Sequence, residues 1–451
     1  MKTYNRRTLL QLGASYGGLG LMSAFSHRSS AAEPTIASRA PKSLRYRPDL
    51  VAPEAPKGTE VIQLTTDTVP SCHVYMEAQI FTPDSKRFVL HRSAHAHGSD
   101  KNDPAHQYLL CDIDDGCSLS PLTTERGVTA PSVSPDGAYL YYFVNETEVN
   151  GGRLMLKRVR LDATGRETVL VLDNGVPGTG LRPSQIYPLS TISLDGARLA
   201  LSASFGDGQT EDAPFGLMVF DVAKAATELI LQGQTWCNLH PQYSRSTDAD
   251  AGHDLLIQEN HGNKANPQGE IVTLVSVDGA DIHVVRDDGS AFRTMPWGRD
   301  GNEHCQGHQC WRGQSEWAIT STGTREPHGA RLIEGTALPD AGHLGLKTLG
   351  AVRNDLTREI HEPDFYHFAT DIAGTRLISD TGPMDQRGRV VVAKLGAPGE
   401  GVLRDVRPVA HPKCSWLKGA HMHPFLSPDG TKGFFNSDES GVLQAYMVTG
   451  F

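Results

Sequence analysis

The sequence has little positive charge and no long hydrophobic segment. Its 42 lysine and arginine residues stand against 52 aspartate and glutamate residues, which gives a net charge of -10. This balance argues against binding along a phosphate backbone, so we expect no nucleic-acid partner. The apolar stretch at residues 8–25 is short and contains several glycines. We therefore expect no membrane insertion of the mature protein.

Several familiar kinds of site are also absent. None of the seven cysteines pairs at the spacing of a structural zinc site, although Cys111 and Cys117 are candidates for a disulfide in an exported protein. The only match to the nucleophile elbow G-x-S-x-G is GASYG at 13–17, in the N-terminal segment. No phosphate-binding glycine loop is present. These absences argue against a thiolate metal centre and against a serine hydrolase.

The N-terminus has the pattern of an export signal. Arg6 and Arg7 precede the apolar stretch, and small residues follow at 29–32. This predicts a signal over 1–32, of the twin-arginine type, with the general secretory route as the alternative. We expect a periplasmic or otherwise exported protein. A disordered N-terminal segment is predicted at 33–55, and a folded domain at 56–451.

Glycine and proline, in contrast, are abundant, with 46 and 27 residues. This composition is typical of chains with many strands and turns. A turn of the S-P-D-G type, between two strand-like runs, recurs seven times at separations of about 52 to 66 residues. The turn positions are 84, 136, 195, about 248, 314, 373 and 429. The repeat predicts an all-β fold, a single seven-bladed β-propeller with four-stranded blades; the alternative is a pair of β-sandwiches.

Four consecutive repeats carry a histidine at the same position. His240, His308, His367 and His423 each lie six positions before a residue of the aligned turn, which is Ser246, Gln314, Ala373 and Asp429 respectively. Equivalent positions on the innermost strands of a propeller face one central channel, so we expect these side chains to converge, together with His421. Neutral imidazole is a common ligand of transition metals. The pattern therefore predicts a divalent metal site; the alternative is that each histidine caps a strand end.

Four segments in order along the chain resemble the oligogalacturonate lyases. They are LHPQYS at 239, GHQCW at 307, YHFATDIAGTRLISD at 366 and HMHPFLSPDG at 421. The resemblance extends from about residue 180 to the end. Members of that family are seven-bladed propellers with one Mn²⁺ at the central channel. The resemblance implies that His308, His421 and His423 hold the metal and that His240 is the general base.

Two positions depart from the pattern of that family. The glutamine expected three residues before the histidine pair is Lys418, and the segment expected to hold a substrate-binding arginine reads APFGLMVF at 213–220. We predict that His367, Lys418 and Arg312 bind the substrate instead, with Arg182 as another source of positive charge. The prediction therefore includes uronate substrates other than galacturonate oligomers.

The resemblance implies a metal-dependent polysaccharide lyase. Such an enzyme would cleave short oligogalacturonides or related uronate oligomers by β-elimination, giving 4,5-unsaturated products, with Mn²⁺ or another divalent metal as cofactor. The metal would stabilise charge on the carboxylate while a neutral histidine removes the proton from carbon 5. The partner would be an acidic oligosaccharide. The alternatives are a non-catalytic propeller that binds a protein or glycan, and a hydrolase or isomerase with the same metal site.

Overall fold

The computed structural model describes most of the chain. The described residues are 45–93, 101–274, 279–297, 304–323, 331–337, 353–360, 363–382, 388–417 and 419–451. The predicted export signal at 1–32 and Lys418 lie outside these ranges. Within them the chain is all β, apart from 3₁₀ turns at Pro48–Leu50, Gln234–Trp236 and Ala251–His253.

In the described ranges, no helix has the length and apolar character needed to cross a membrane.

The strands of the first half are short and follow one another closely. They are β1 (Arg45–Tyr46), β2 (Glu60–Gln63), β3 (Ser71–His73), β4 (Arg87–Arg92), β5 (Gln107–Asp112), β6 (Ser118–Pro121), β7 (Val128–Val133), β8 (Tyr139–Glu148), β9 (Gly151–Arg160), β10 (Glu167–Leu172), β11 (Gln185–Ile192), β12 (Arg198–Ser204), β13 (Phe215–Asp221) and β14 (Ala226–Gly233).

The second half continues in the same way. Its strands are β15 (Gln242–Tyr243), β16 (Asp254–Asn260), β17 (Lys264–Ala265), β18 (Ile271–Thr273), β19 (Ala280–Arg286), β20 (Arg293–Thr294), β21 (His304–Trp311), β22 (Trp317–Gly323), β23 (Arg331–Thr336), β24 (Arg353–Asp355), β25 (Phe368–Thr370), β26 (Arg376–Asp380), β27 (Val390–Leu395), β28 (Leu403–Ala410), β29 (Phe425–Leu426), β30 (Lys432–Ser437) and β31 (Gln444–Thr449).

Antiparallel pairing of the described strands gives sets of four, which we number as blades; β1, β17 and β18 lie outside these sets. Blades 1 to 7 are β3–β6, β7–β10, β11–β14, β15-β16-β19-β20, β21–β24, β25–β28 and β29-β30-β31-β2. Contacts between blades join their first strands, such as β7 with β11, β11 with β15, β21 with β25, and β25 with β29. The first strands are therefore innermost, and the predicted all-β propeller is confirmed.

The second strand, β2, pairs with the last strand, β31. Val61 of β2 lies opposite Val448 of β31, so the last blade takes its fourth strand from the start of the chain. Residues 45–59, directly before β2, are ordered as well: β1 pairs with β2, and Leu50 is fully buried. The predicted disorder over 33–55 is therefore wrong for residues 45–55. They are held by a contact that local sequence does not reveal, an ion pair between Arg47 and Glu439.

The recurring turn has a physical basis in its own side chains. The Ser134 hydroxyl donates to Oδ1 of Asp136 at 2.5 Å, and the same oxygen accepts the amide of Ala138 at 3.0 Å. The equivalent two bonds occur around Asp84, Asp195 and Asp429. A short polar side chain that bonds the backbone two residues on stabilises a tight turn. The residue after the aspartate supplies the positive φ: it is a glycine in three of these turns, with +67° at Gly430, and Ser85 with +59° in the turn of Asp84.

Strand β8 is buried on both faces because blade 2 lies between two others. In β8 the side chains of Leu140, Tyr142 and Val144 belong to one apolar cluster, and those of Tyr141 and Phe143 to another. Alternate residues of a strand point to opposite faces. A continuous apolar run is therefore what a strand in this position requires. All seven cysteines are buried thiols, and the candidate pair Cys111 and Cys117 is not bonded.

Candidate functional site

Four histidine side chains from three consecutive blades meet at the central channel. The ligand atoms of His367, His421 and His423 all lie within 4.8 Å of one another. The ring centroid of His367 is 4.2 Å from that of His423 and 4.5 Å from that of His308. His308 comes from blade 5, His367 from the start of blade 6, and the other two precede β29 of blade 7. The predicted convergence therefore occurs for these four residues.

The G-H-x-x-W segment has a structural reason for its glycine and its tryptophan. Gly307 has φ +82°, and a Cβ there would lie 2.8 Å from the side-chain nitrogen of Gln258. Trp311 donates from Nε1 to the backbone oxygen of Gln242 at 2.9 Å, which ties β21 to the first strand of blade 4. The two residues on either side of His308 thus fix its strand against the neighbouring blade.

Two of the histidines have an unusual backbone conformation. His240 has φ +48° and His423 has φ +42°. Residues other than glycine rarely adopt positive φ, and such strain is retained where the surrounding structure and function demand it. Both residues come shortly before the first strand of their blade, β15 and β29. The left-handed turn ends the incoming loop and directs the imidazole to the channel.

A buried carboxylate orients His367. Oδ2 of Asp380 lies 2.8 Å from Nδ1 of His367, and Oδ1 accepts the His367 backbone amide at 3.0 Å. Burial raises the pKa of Asp380 to about 8, against the lowering effect of backbone amides from His367, Gly382 and His423. An imidazole with Nδ1 bonded to a carboxylate presents Nε2, the arrangement usual behind metal-ligating histidines.

The residues present fit a metal ion. Burial, with smaller effects of His240 and His421, lowers the pKa of His308 to about 3, so that its ring is neutral at neutral pH. Its Nδ1 is buried and makes no hydrogen bond within the described part of the chain. A neutral imidazole with an unused nitrogen, next to three other imidazoles, is a donor set suited to a divalent transition metal.

His240 stands apart from this group and has different partners. Its Nδ1 is 2.7 Å from Oε2 of Glu77, and its Nε2 is 3.2 Å from the hydroxyl of Tyr187. The ring of Tyr75 lies 5.4 Å from His240 and 4.6 Å from His423. Carboxylate, imidazole and a hydroxyl in series are the parts of a general base with an orienting acid.

Arg312 is buried and paired within the protein. Its side chain is almost fully buried and forms an ion pair with Glu334, and its Nε donates to the backbone oxygen of Gly374 at 3.1 Å. This pairing links blade 5 to blade 6 and leaves no free cation for a ligand. The pairing argues against the predicted role in substrate binding, because charge alone does not distinguish a paired guanidinium from an available one. Arg182 is exposed and lies by β9 and β10, where it donates to the backbone oxygen of Asp173.

Several residues of the site escaped the sequence analysis. Arg245 lines a cavity of about 30 Å³ within the channel, together with Glu77, Gln242 and Cys310. No carboxylate of the described residues is within ion-pair distance of it, and burial lowers its pKa. Trp416 is 5.1 Å from the ring of His421, and its buried Nε1 has no partner in the described part. These side chains add a cation and an unused donor to the histidine site.

Comparisons with known proteins identify the fold. No protein-family model matches the sequence, and no curated protein matches it at the sequence level. An oligogalacturonate lyase in complex with manganese superposes with a TM-score of 0.63 at 19% identity, covering 90% of this chain and 96% of the other. The chain has the fold of the oligogalacturonate lyases.

A second structure leads to the same result. Oligogalacturonate lyase from Vibrio parahaemolyticus superposes with a TM-score of 0.63 at 17% identity, covering 90% of this chain and 97% of the other. The resemblance inferred from the four sequence segments is thus confirmed at the level of the fold. At these identities the function of the present chain must be argued from its own residues.

Proposed function

We propose that the protein is a metal-dependent lyase that cleaves short oligogalacturonides or related uronate oligomers by β-elimination. The observation that carries this proposal is the His240–Glu77 pair beside a group of four imidazoles. Removing a weakly acidic proton next to a carboxylate requires a positioned base and a cation at that carboxylate. Both structural neighbours are named as oligogalacturonate lyases, one of them with manganese.

The ion, for which we propose Mn²⁺, would be held by His308, His367, His421 and His423. We assign His367 to the ligands rather than to the substrate because its ligand nitrogen lies with those of the pair and its Nδ1 is held by Asp380. When bound, the ion would stabilise the negative charge that develops on the substrate carboxylate. The role of Lys418 in substrate binding stays a prediction.

His240 performs the proton transfer in this proposal. Its Nδ1–H donates to Glu77, so the lone pair of Nε2 is the basic one. Nε2 takes the proton from carbon 5, and the C–H electron pair forms the double bond between carbons 4 and 5. The bond from carbon 4 to the glycosidic oxygen breaks, its electron pair leaves with the oxygen, and the oxygen takes a proton from water. Tyr187, which donates to Nε2 in the free protein, holds the ring in place until substrate arrives.

The mouth of the site suits a sugar acid. The rings of Tyr366 and Trp416 lie against His308 and His421, and Nε1 of Trp416, which has no partner among the described residues, is a donor for a sugar hydroxyl. The cavity beside Arg245 holds a few water molecules rather than a sugar ring. Arg245 would therefore attract a bound uronate by its positive charge without direct contact with the sugar ring, in place of Arg312.

The test is the mass of the products from trigalacturonate. Elimination gives an unsaturated product without addition of water, whereas a hydrolase would give products that together contain one more water. We expect the unsaturated product from the wild type, a rate about 10²- to 10⁴-fold lower for His240→Asn, and unchanged metal content in that variant. The matched control is His253→Asn, which alters a histidine–carboxylate pair in the same blade. Hydrolytic products, or full activity of His240→Asn, would overturn the proposal.

A further inference from the structure

A second cluster of histidine and carboxylate side chains lies in blade 4. Glu259 is on β16, and His261 is the first residue after that strand. Asp281 and His283 are on β19. Each strand thus contributes an acid and a histidine two positions later, E-N-H and D-I-H. Glu259 lies directly opposite Asp281 in the strand register, and residues two apart share a face. The four side chains therefore project from the same face of the blade.

The ligand atoms of three of these side chains have the spacing of a single coordination sphere, and His261 lies at the edge of this group. The ligand atoms of Glu259, Asp281 and His283 all lie within 4.8 Å of one another. Oε2 of Glu259 is 3.1 Å from Nε2 of His283 and 3.8 Å from Nε2 of His261. Nε2 of His261 is 2.9 Å from Oδ2 of Asp281. Atoms bound to one ion at about 2.0–2.2 Å are themselves about 3–4 Å apart.

Outer contacts hold these side chains in place. Nδ1 of His283 lies 3.3 Å from the hydroxyl of Thr294, which leaves Nε2 to face the carboxylates. The other oxygen of Glu259 accepts from the Thr235 hydroxyl at 2.7 Å. Partners of this kind fix the tautomer and orientation of metal ligands. The cluster therefore has the second layer of contacts expected of a built site.

A cation would also add to the compensation that the two imidazoles give the buried acids. Glu259 and Asp281 are buried, at 9% and 6% exposure, and like charges directly opposite across two strands destabilise a sheet. The side chain of His261 is the most exposed of the cluster, at 14%, so an ion would enter the site beside it. Another histidine–carboxylate pair of this blade is His253 with Asp287. It contains a single imidazole, and neither residue has a carboxylate opposite it in the register of β16 and β19.

We propose that Glu259, His261, Asp281 and His283 bind a divalent transition-metal ion, in the first place Zn²⁺. Two imidazoles and two carboxylates form a closed set of four protein ligands, which is typical of structural zinc rather than catalytic zinc. The ion would brace β16 against β19 and fix the loop that follows β16. This site does not depend on the function proposed for the channel histidines.

The experiment counts bound zinc in protein freed of metal. The channel site is removed by His421→Ala with His423→Ala, and the double variant is titrated with Zn²⁺ by calorimetry and elemental analysis. We expect it to bind one ion, to lose that ion when His283→Gln is added, and to keep it when the control His253→Gln is added. Zinc should raise the unfolding temperature of the double variant but not that of the triple variant carrying His283→Gln.

Two results would overturn the proposal. One is a folded double variant that binds no zinc; the other is zinc binding that survives His283→Gln. If His283→Gln fails to fold, His261→Gln at the open side of the cluster replaces it, with the same expected loss. Failure of the lyase proposal would be seen separately, as absence of unsaturated product from protein that still binds zinc in blade 4.

Discussion

The carboxylate of Glu77 lies 2.7 Å from Nδ1 of His240, although 163 positions separate the two residues in the chain. Glu77 belongs to the segment between β3 and β4 of blade 1, and His240 precedes the first strand of blade 4. The bond therefore spans the channel. Burial raises the pKa of Glu77, and the neighbouring His240 opposes that rise. A carboxylate in this place fixes the tautomer of the base, as in catalytic triads.

Removing the charge of Glu77 should impair catalysis more than binding. In Glu77→Gln we expect kcat to fall by about 10²- to 10⁴-fold with little change in KM, because His240 loses its orienting acceptor. Steady-state kinetics on trigalacturonate measure this, with Glu77→Asp as the partial replacement. An unimpaired Glu77→Gln enzyme would remove Glu77 from the mechanism.

Arg312 should matter for stability. Arg312→Met leaves the fully buried carboxylate of Glu334 without its guanidinium, and breaking a buried pair in this way costs about 3–5 kcal/mol. Urea denaturation measures the loss, and adding Glu334→Leu to the variant should recover most of it. The folded fraction should keep its KM. A large rise in KM without loss of stability would restore the predicted role in substrate binding.

Arg245 should behave in the opposite way. No carboxylate of the described residues pairs with it, so Arg245→Met should leave the free energy of unfolding unchanged or higher. Because its charge attracts an acidic substrate, we expect a higher KM and a weaker dependence of kcat/KM on salt. The same kinetics measured at several ionic strengths decide the matter. Unchanged KM and unchanged salt dependence would assign Arg245 no part in binding.

His73 should make stability depend on pH in the acid range. It is fully buried among Phe88, Phe425 and Phe434, and burial lowers its pKa from 6.5 to about 4. Between pH 6.5 and about 4, the imidazole of His73 is protonated in the unfolded chain and neutral in the folded chain. Stability is therefore lost as the pH falls from 6.5 towards 4, by up to about 3 kcal/mol.

The variant His73→Phe removes this titration and keeps an aromatic ring in the cluster. Its free energy of unfolding should fall less between pH 7 and pH 4 than that of the wild type. Urea denaturation at several pH values gives the two curves. Parallel curves for the two proteins would mean that His73 does not titrate as its burial requires.

The propeller could be predicted because its repeating signal is local. Asp136 bonds residues two positions away on either side, so each turn carries its own sequence signature. The register of that turn also located His308, His367 and His423. A second local pattern, the acid-x-His pairs that end β16 and begin β19, was present in the sequence and could have indicated the cluster in blade 4.

The remaining features depend on residues far apart in the chain. Glu77 reaches His240 only because blades 1 and 4 face each other across the channel. Asp380 lies 13 positions after His367 and meets it only when β25 and β26 pair. Arg47 pairs with the nearby Asp49, but its other carboxylate partner, Glu439, is 392 positions away. No periodicity reports such contacts. Export by the twin-arginine route stays a prediction.

The most direct measurement is the ultraviolet absorbance of unsaturated product when trigalacturonate is mixed with the protein. We expect the absorbance to rise with the Mn²⁺-loaded protein, to stay constant after treatment with a chelator, and to rise again when Mn²⁺ is added back. His421→Ala should resemble the chelated wild type at low Mn²⁺. A flat trace from protein that has Mn²⁺ bound would contradict elimination of galacturonate oligomers at this site, and an equal rise with and without chelator would contradict the metal.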